Sequence, residues 1–189
     1  VDVVHHPAEL LTDNAILILH GGADISPSIY HHVPSKRTGA EEKLSSRDLS
    51  EVLLAQRAIE LGIPIFGICR GAQLVCALAG GSLIQHVDNH IGGEHLVVNT
   101  KGTIFSTTTC HHQMMNPWEV DHELIAWAAP ARSNRYIVEH EKEIEMPVEP
   151  EVVFFPKIKA LGVQGHPEWM RNSAPFVQYC LQLVKERLI

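Results

Sequence analysis

The segment from Pro64 to Gly81 constrains this chain more than any other. An apolar run, Pro64 to Ile68, passes through Gly67-Ile68-Cys69-Arg70-Gly71 into a small, apolar stretch, Arg70 to Ala79, that stops at Gly80-Gly81. A run without polar alternation reads as a strand buried on both faces, the habit of parallel sheets. Ala15 to His20 is a second such run, ended by Gly21-Gly22, and Val1 to Val4 is a third. Between them Ser46 can cap a helix whose Leu49, Val52, Leu53 and Ile59 recur at helical spacing, with Gly62 at its end and Pro64 just beyond. Strand, helix, strand, tight turn and helix in this order predict an α/β domain built from βαβ units.

The remainder extends the alternation. Leu83 to Thr109 carries β-formers such as Leu96-Val97-Val98, and Tyr136 to Glu139, Val152 to Phe155 and Ala160 to Gln164 read as further strands. An amphipathic helix from Ser173 to Leu188 closes the chain, opened by Asn172 or Ser173 and Pro175, with Phe176, Val177, Cys180, Leu181 and Val184 inward. With 189 residues, 45% hydrophobic and 20% charged, and no repeat or linker, residues 1–189 read as one packed domain. The chain starts at Val1 rather than Met, so removal of an earlier N-terminus is an expectation.

Fifteen basic against 22 acidic residues give a formal charge of -7, and no basic run exceeds Lys36-Arg37, so nucleic-acid binding is disfavoured. No apolar run approaches the ~20 residues of a membrane span, and no signal peptide is visible. Cys69, Cys76, Cys110 and Cys180 form no CxxC pair and read as reduced thiols of a cytoplasmic protein, Cys76 and Cys180 as core. Among thirteen histidines, His86, His90 and His95 could bind a metal with Asp88 or Glu94, against the plainer reading of loop and surface histidines without tight ligand spacing.

Gly67-x-Cys69-x-Gly71 between a strand and a helix is the pattern of a nucleophile elbow, where small neighbours permit a sharp turn. The helix N-terminus would favour thiolate over thiol, and the amide of Arg70 would face an oxyanion. The competing reading is a core cysteine after a buried strand. His166-Pro167-Glu168, after another strand, offers a base and a carboxylate to orient it, although alone it is equally a loop turn. Both follow buried strands, whose carboxyl ends are where open α/β sheets bind ligands.

These segments resemble class I glutamine amidotransferases, and within them the γ-glutamyl-γ-aminobutyrate hydrolase (peptidase C26) branch. The resemblance is carried by Gly21-Gly22-x-Asp24-x-x-Pro27-x-x-Tyr30, Arg47-Asp48-x-x-Glu51, Gly62-Ile63-Pro64, Gly67-Ile68-Cys69-Arg70-Gly71-x-Gln73, Gly80-Gly81-x-Leu83-x-Gln85, His111-His112-Gln113 and Gly162-Val163-Gln164-x-His166-Pro167-Glu168. It implies a flavodoxin-like, doubly wound, mostly parallel sheet with helices on both faces. It implies a Cys69, His166, Glu168 triad, with the amides of Gly22 and Arg70 as oxyanion hole and Gly21 shaping that loop. Gln73 would hold the γ-glutamyl group, or be plain helix surface; His111, His112 and Gln113 would lie near the pocket, or form a capped turn. The resemblance calls for no metal and no cofactor.

The chain departs from that pattern at His20, Cys110 and Gly165. Gly165 replaces an aromatic and is expected to widen the pocket floor. The resemblance also implies a strand and helix ahead of Val1, whereas only ten residues, His5 to Asn14, separate the first two apolar runs. The first βα unit is therefore expected to be absent or to precede the numbering. If absent, a homodimer or partner would cover the exposed sheet face.

The implied activity is hydrolysis of a small γ-glutamyl amide through a γ-glutamyl thioester. Two alternatives stand beside it: a glutaminase component that hands ammonia to a separate synthetase, and a non-catalytic binding protein on the same fold.

Overall fold

In the computed structural model, which describes residues 3–4, 6–10 and 16–189, the elements carrying the glycine loop and Cys69 come first. The order is β1 (Leu17–Leu19), α1 (Ser46–Leu61), β2 (Ile65–Ile68), α2 (Arg70–Leu78), β3 (Ser82–Ile84) and β4 (His86–Val87). Then follow β5 (Ile91–Asn99), β6 (Ile104–Cys110), β7 (Met114–Asn116), β8 (Glu123–Ala128), β9 (Tyr136–Ile137), β10 (Glu143–Ile144), β11 (Pro150–Phe155), β12 (Ala160–Val163) and α3 (Pro175–Arg187). The predicted strand Ala15 to His20 narrows to β1, with Ala15 outside the described residues. Of the predicted run Val1 to Val4, Val1 and Asp2 lie outside them and Val3 and Val4 join no strand.

The main sheet has the order β1-β2-β12-β11-β8-β5-β6. β2 pairs parallel with β1 on one side and with β12 on the other, Gly67 facing Leu19 and Gly162. The other four pairings are antiparallel, because β11 and β5 run against the common direction of β1, β2, β12, β8 and β6, as in a mostly parallel sheet interrupted by two reversed strands. The connection from β11 to β12 is a single 3-10 turn, Pro156–Ile158, too short for the crossover that parallel neighbours need.

The fold is flavodoxin-like and wound on both faces. β11 is buried along its whole length, and its side chains alternate between layers. Val153 and Phe155 pack with Leu17, Leu19, Ile65, Leu54 and Leu74 under α1 and α2. Val152 and Phe154 pack with Leu161, Val163, Phe176 and Cys180 under α3.

α1 is capped by Ser45, one residue before the expected Ser46, because a reciprocal capping box forms there. The Ser45 hydroxyl accepts from the Asp48 amide at 3.0 Å, and the Asp48 carboxylate accepts from the Ser45 amide at 3.0 Å. The helix ends at Gly62, left-handed at φ 67°. Its inward face is Leu54, Ala55 and Ala58, while Leu49 and Leu53 are exposed. Asp48 and Glu51, both turned to Arg70, set that rotation and swing Leu49 and Leu53 outward. α3 begins at Pro175 with Ala174 as its cap and no side-chain cap bond, and Leu181 points to solvent.

Candidate active site

The parallel strands β1, β2 and β12 lie side by side, so the turns leaving their carboxyl ends converge: His20-Gly21-Gly22, Cys69 and Gly165-His166. Cys69 leaves β2 at φ 50° and ψ −106°, a backbone state uncommon for a side-chain-bearing residue. Its amide donates to the Val163 carbonyl at 2.8 Å, and its own carbonyl accepts from the Gln73 amide at 3.0 Å, opening α2. Only glycine fits on either side. A Cβ at Gly67 would run into the Gly71 carbonyl, and one at Gly71 into the Leu19 carbonyl.

Cys69 is buried, and burial pushes its thiol up to about 12; the Arg70 amide works against this, while Cys110, Glu168 and Glu151 add to it. Desolvation thus outweighs the N-terminus of a nine-residue helix. The expected resting thiolate is replaced by a thiol that needs a base.

An imidazole is at hand. A Cβ on Gly21 would lie 2.7 Å from His166 Cε1 and 3.6 Å from Cys69 Cβ, so cysteine and imidazole flank the same glycine. His166 Nδ1 is 2.7 Å from Glu168 Oε1. The ring is also stacked on Trp169, centroids 3.6 Å apart. Thr108 of β6 holds the segment from both ends: its carbonyl accepts from the His166 amide at 3.3 Å, and its hydroxyl donates to the His166 carbonyl at 2.7 Å. Gly165 does not open a pocket floor. A Cβ there would meet Thr107 Oγ1 at 2.5 Å and the Thr108 carbonyl at 2.8 Å, so β6 already fills the space.

The glycine loop is clamped from α1. Arg47 Nη2 donates to the carbonyls of His20 and Gly21 at 3.1 and 3.0 Å, while its Nε donates to Glu51 at 2.7 Å. The guanidinium packs so closely on Gly22 that a Cβ would overlap it. Arg70, next to Cys69, has a buried side chain bonded to Asp48 at 2.6 Å and to Glu51. One turn of α1 therefore holds both the glycine loop and the elbow.

Gln73 is buried rather than helix surface, and its Nε2 donates to the Gln113 carbonyl at 3.1 Å. His111 Nδ1 donates to the same carbonyl at 2.8 Å, the arrangement of a capped turn. Gln113 Nε2 donates to Thr38 at 2.8 Å. His112 Nε2 lies 3.0 Å from Asp24. Burial alone would raise the Asp24 carboxyl, but His112, the Gly39 amide and Thr38 together hold it below its ordinary value. The histidines weighed as metal ligands split up: His86 pairs with Asp88 at 3.1 Å, Glu94 accepts from Ser106, and His90 and His95 turn inward. His90 instead gathers with His111 and Glu151, one ligand atom from each lying within 4.8 Å of the others.

Sequence reasoning passed over Thr108, Trp169 and Glu151, and quoted Arg47, Asp48 and Glu51 without a role. The i, i+3 spacing of Asp48 and Glu51 at a helix start was the available signal for the clamp.

The profile of the peptidase C26 family matches residues 5–168. A γ-glutamyl-γ-aminobutyrate hydrolase from Escherichia coli is 30% identical over 169 residues, covering 80% of this chain and 63% of that protein. Protein NtpR of Enterococcus hirae is 45% identical over 74 residues, 39% of this chain and 30% of that one. The chain thus spans about a third to two thirds of the relatives it matches. In three dimensions it superposes on a glutamine amidotransferase from Thermotoga maritima with a TM-score of 0.55 at 17% identity, covering 96% of this chain and 69% of that one, a likeness of fold. Among the described residues no helix is long and apolar enough to cross a membrane.

Proposed function

Because the chain belongs to the peptidase C26 family, we propose that it hydrolyses a γ-glutamyl amide, glutamine or a γ-glutamyl amine, with Cys69 as nucleophile, His166 as acid and base, and Glu168 as the group that orients the imidazole. The observation that carries this reading is the approach of Cys69 Cβ and the His166 ring to one point beside Gly21, with His166 Nδ1 held by Glu168.

Glu168 takes up Nδ1, which leaves His166 Nε2 to receive the proton of the Cys69 thiol. The sulfur adds to the γ-carbonyl carbon, and the oxygen becomes an anion facing the amides of Gly22 and Arg70. Collapse of that adduct breaks the C–N bond, and the imidazolium gives its proton to the departing amine or ammonia. His166 then takes a proton from water, hydroxide adds to the thioester carbonyl, and the second collapse releases glutamate and returns the proton to sulfur. Proton transfer of this kind contributes about 10²–10⁴-fold, and one oxyanion donor about 10²–10³-fold. Gly21 keeps the loop thin enough for the imidazole to approach. Gln73, His111, His112 and Gln113 act by fixing the walls around the substrate.

A second reading is favoured by the resting state of Cys69. A nucleophile held as a thiol suits a glutaminase component that is nearly silent until a synthetase partner engages it and receives its ammonia.

The test is a screen of γ-glutamyl amides with mass-spectrometric detection of released glutamate, together with stoichiometric labelling of Cys69 by a glutamine-analogue electrophile. Cys69→Ala is expected to abolish turnover. A Cys69→Ala chain that retained wild-type hydrolysis would refute the assignment. A wild-type chain that neither turned over nor labelled would favour a binding protein on this fold.

A further inference from the structure

The wall beside Cys69 and His166 contains more buried, unused chemistry than a hydrolase of this kind employs. His90, His95, His111, Glu149 and Glu151 are all buried, contributed by three places distant in sequence: the start of β5, the end of β6 and β11. The imidazole of His90 lies 4.7 Å from that of His111 and 5.4 Å from that of His95, centroid to centroid.

Hydrogen bonding accounts for one side of His95, His111 and Glu151 and leaves the other side free. His111 donates from Nδ1 to the Gln113 carbonyl, and its Nε2 has no partner. His95 donates from Nε2 to Glu151 Oε1 at 2.8 Å, while His95 Nδ1 and Glu151 Oε2 have no partner. Neither ring nitrogen of His90 makes a hydrogen bond, and its Nε2 lies 3.2 Å from Glu149 Oε2. Glu149 is held in place by the amides of Arg132 and Ser133, which donate to its carboxylate at 2.8 and 2.7 Å. Leaving buried polar atoms of His90, His95, His111 and Glu151 unpaired is costly.

We propose that His90, His111 and Glu151 form a binding site for one divalent transition-metal ion, with zinc the occupant that two imidazoles and a carboxylate suit best.

Two histidines and a glutamate are a recurrent zinc set that keeps a fourth position for water. The outer partners fit the same reading, since ligating histidines donate their other N–H to a carboxylate or carbonyl and ligating carboxylates are hydrogen-bonded in turn. Glu149 serves His90, the Gln113 carbonyl serves His111, and His95 serves Glu151. The ligand atoms, within 4.8 Å of one another, need a small contraction to reach the edge of about 3.4 Å of a tetrahedron with ~2.0–2.1 Å bonds. Harder cations prefer all-oxygen sites, which excludes calcium and magnesium. The ion would tie β11 to the ends of β5 and β6, the strand that grips His166 through Thr108.

The test adds zinc chloride to the chelator-dialysed full chain. One equivalent is expected to bind, raising Tm by roughly 5 °C or more when zinc is in large excess over Kd. His90→Ala and Glu151→Gln are each expected to weaken binding by about 100-fold, and Glu149→Gln by about 10–100-fold. Anomalous scattering at the zinc edge from crystals of the loaded wild-type chain is expected to place one ion between His90, His111 and Glu151. This measurement decides the matter even where a variant fails to fold. The proposal is overturned if the natively folded chain binds no stoichiometric zinc, if the ion lies at Cys69 or on surface histidines, or if folded variants bind as the wild type does.

Discussion

The indole of Trp169 lies flat against the imidazole of His166, ring centroids 3.6 Å apart and planes 2° from parallel. Trp169 is 59% exposed, so burial of its own surface does not explain its position. Its face meets a ring that carries positive charge whenever it holds the nucleophile's proton, and an aromatic face stabilises such a cation by about 0.5–2 kcal/mol. Trp169 is therefore a positioning residue for His166. Trp169→Ala is expected to lower kcat about 3–10-fold with little change in KM, and Trp169→Phe to restore most of the loss. Equal loss of stability and of kcat in both variants would reduce the stack to packing.

Cys69 offers a second prediction. Burial pushes its thiol up to about 12, so thiolate is scarce at neutral pH and increases about tenfold with each pH unit. Iodoacetamide, which relies on that thiolate, is expected to label Cys69 slowly near pH 7 and steadily faster up to the alkaline limit of folding. A γ-glutamyl-shaped electrophile should label at neutral pH, since it occupies the site in which His166 accepts the proton. Rapid iodoacetamide labelling of Cys69 at pH 7 would show that the thiolate is already present.

The clamp from α1 separates stability from activity. Arg70 and Asp48 have side chains only 2% exposed each, so Asp48→Ala leaves a buried guanidinium short of its partner and removes the capping box. A loss of about 3–5 kcal/mol in urea unfolding is expected. Arg47 is half exposed, and Arg47→Ala is expected to cost under about 1 kcal/mol. It nonetheless releases the carbonyls of His20 and Gly21, so turnover should fall far more than stability. Parallel losses in both quantities for Arg47→Ala would argue against a role in holding the loop.

What could be read from the sequence was what neighbours in the chain dictate. The buried runs, the elbow between Gly67 and Gly71, and the caps expected at Ser46 and Gly62 are local, and the structure departs from them by a residue or so, Ser45 being the cap that forms. The nearness of Cys69 and His166 was also legible, because each comes after a strand of the parallel set. The reversal of β11 and β5 was not, since strand direction depends on which runs pair. Leu49 and Leu53 failed as core positions because the rotation of α1 is set by Arg70, which holds Glu51 and Asp48 from 19 and 22 residues away. Glu151 was invisible as a partner of His90 and His111, because only the sheet order brings β11 to them.

Gly165 illustrates the same limit and carries its own test. In the sequence it reads as an opened pocket; in the structure Thr107 and Thr108 stand 2.5 and 2.8 Å from the point where a Cβ would sit. Gly165→Ala is expected to destabilise by about 1–3 kcal/mol as an overpacked site and to lower activity by displacing His166. Adding Thr107→Ser, which keeps the hydroxyl, should rescue little, whereas Thr107→Gly should rescue part of the loss, the Thr108 carbonyl remaining in the way. Enlarged substrate tolerance in Gly165→Ala without loss of stability would return the pocket reading.

The pair of His112 and Asp24 ties the residue after the first glycine loop to the β6–β7 turn across 3.0 Å, and its contribution must depend on pH. The hydrogen bond to Asp24 raises the His112 value above 6.5 in spite of burial, and the Asp24 value is held below 3.8. A histidine with a raised folded value contributes stability that is complete below its unfolded value and fades as pH climbs through the folded one. An aspartate with a depressed value contributes stability present above its unfolded value and lost as pH falls through the folded one. The charged pair is therefore strongest between the two ordinary values, in the window from 3.8 to 6.5. His112→Gln keeps a donor of similar reach without the charge. It is expected to cost about 1 kcal/mol at a pH inside that window, a discounted value for a partly exposed pair, and close to nothing in alkaline solution where the wild-type imidazole is neutral. Urea unfolding of both chains across that range measures the difference. A cost independent of pH would mean that His112 acts through shape and hydrogen bonding alone.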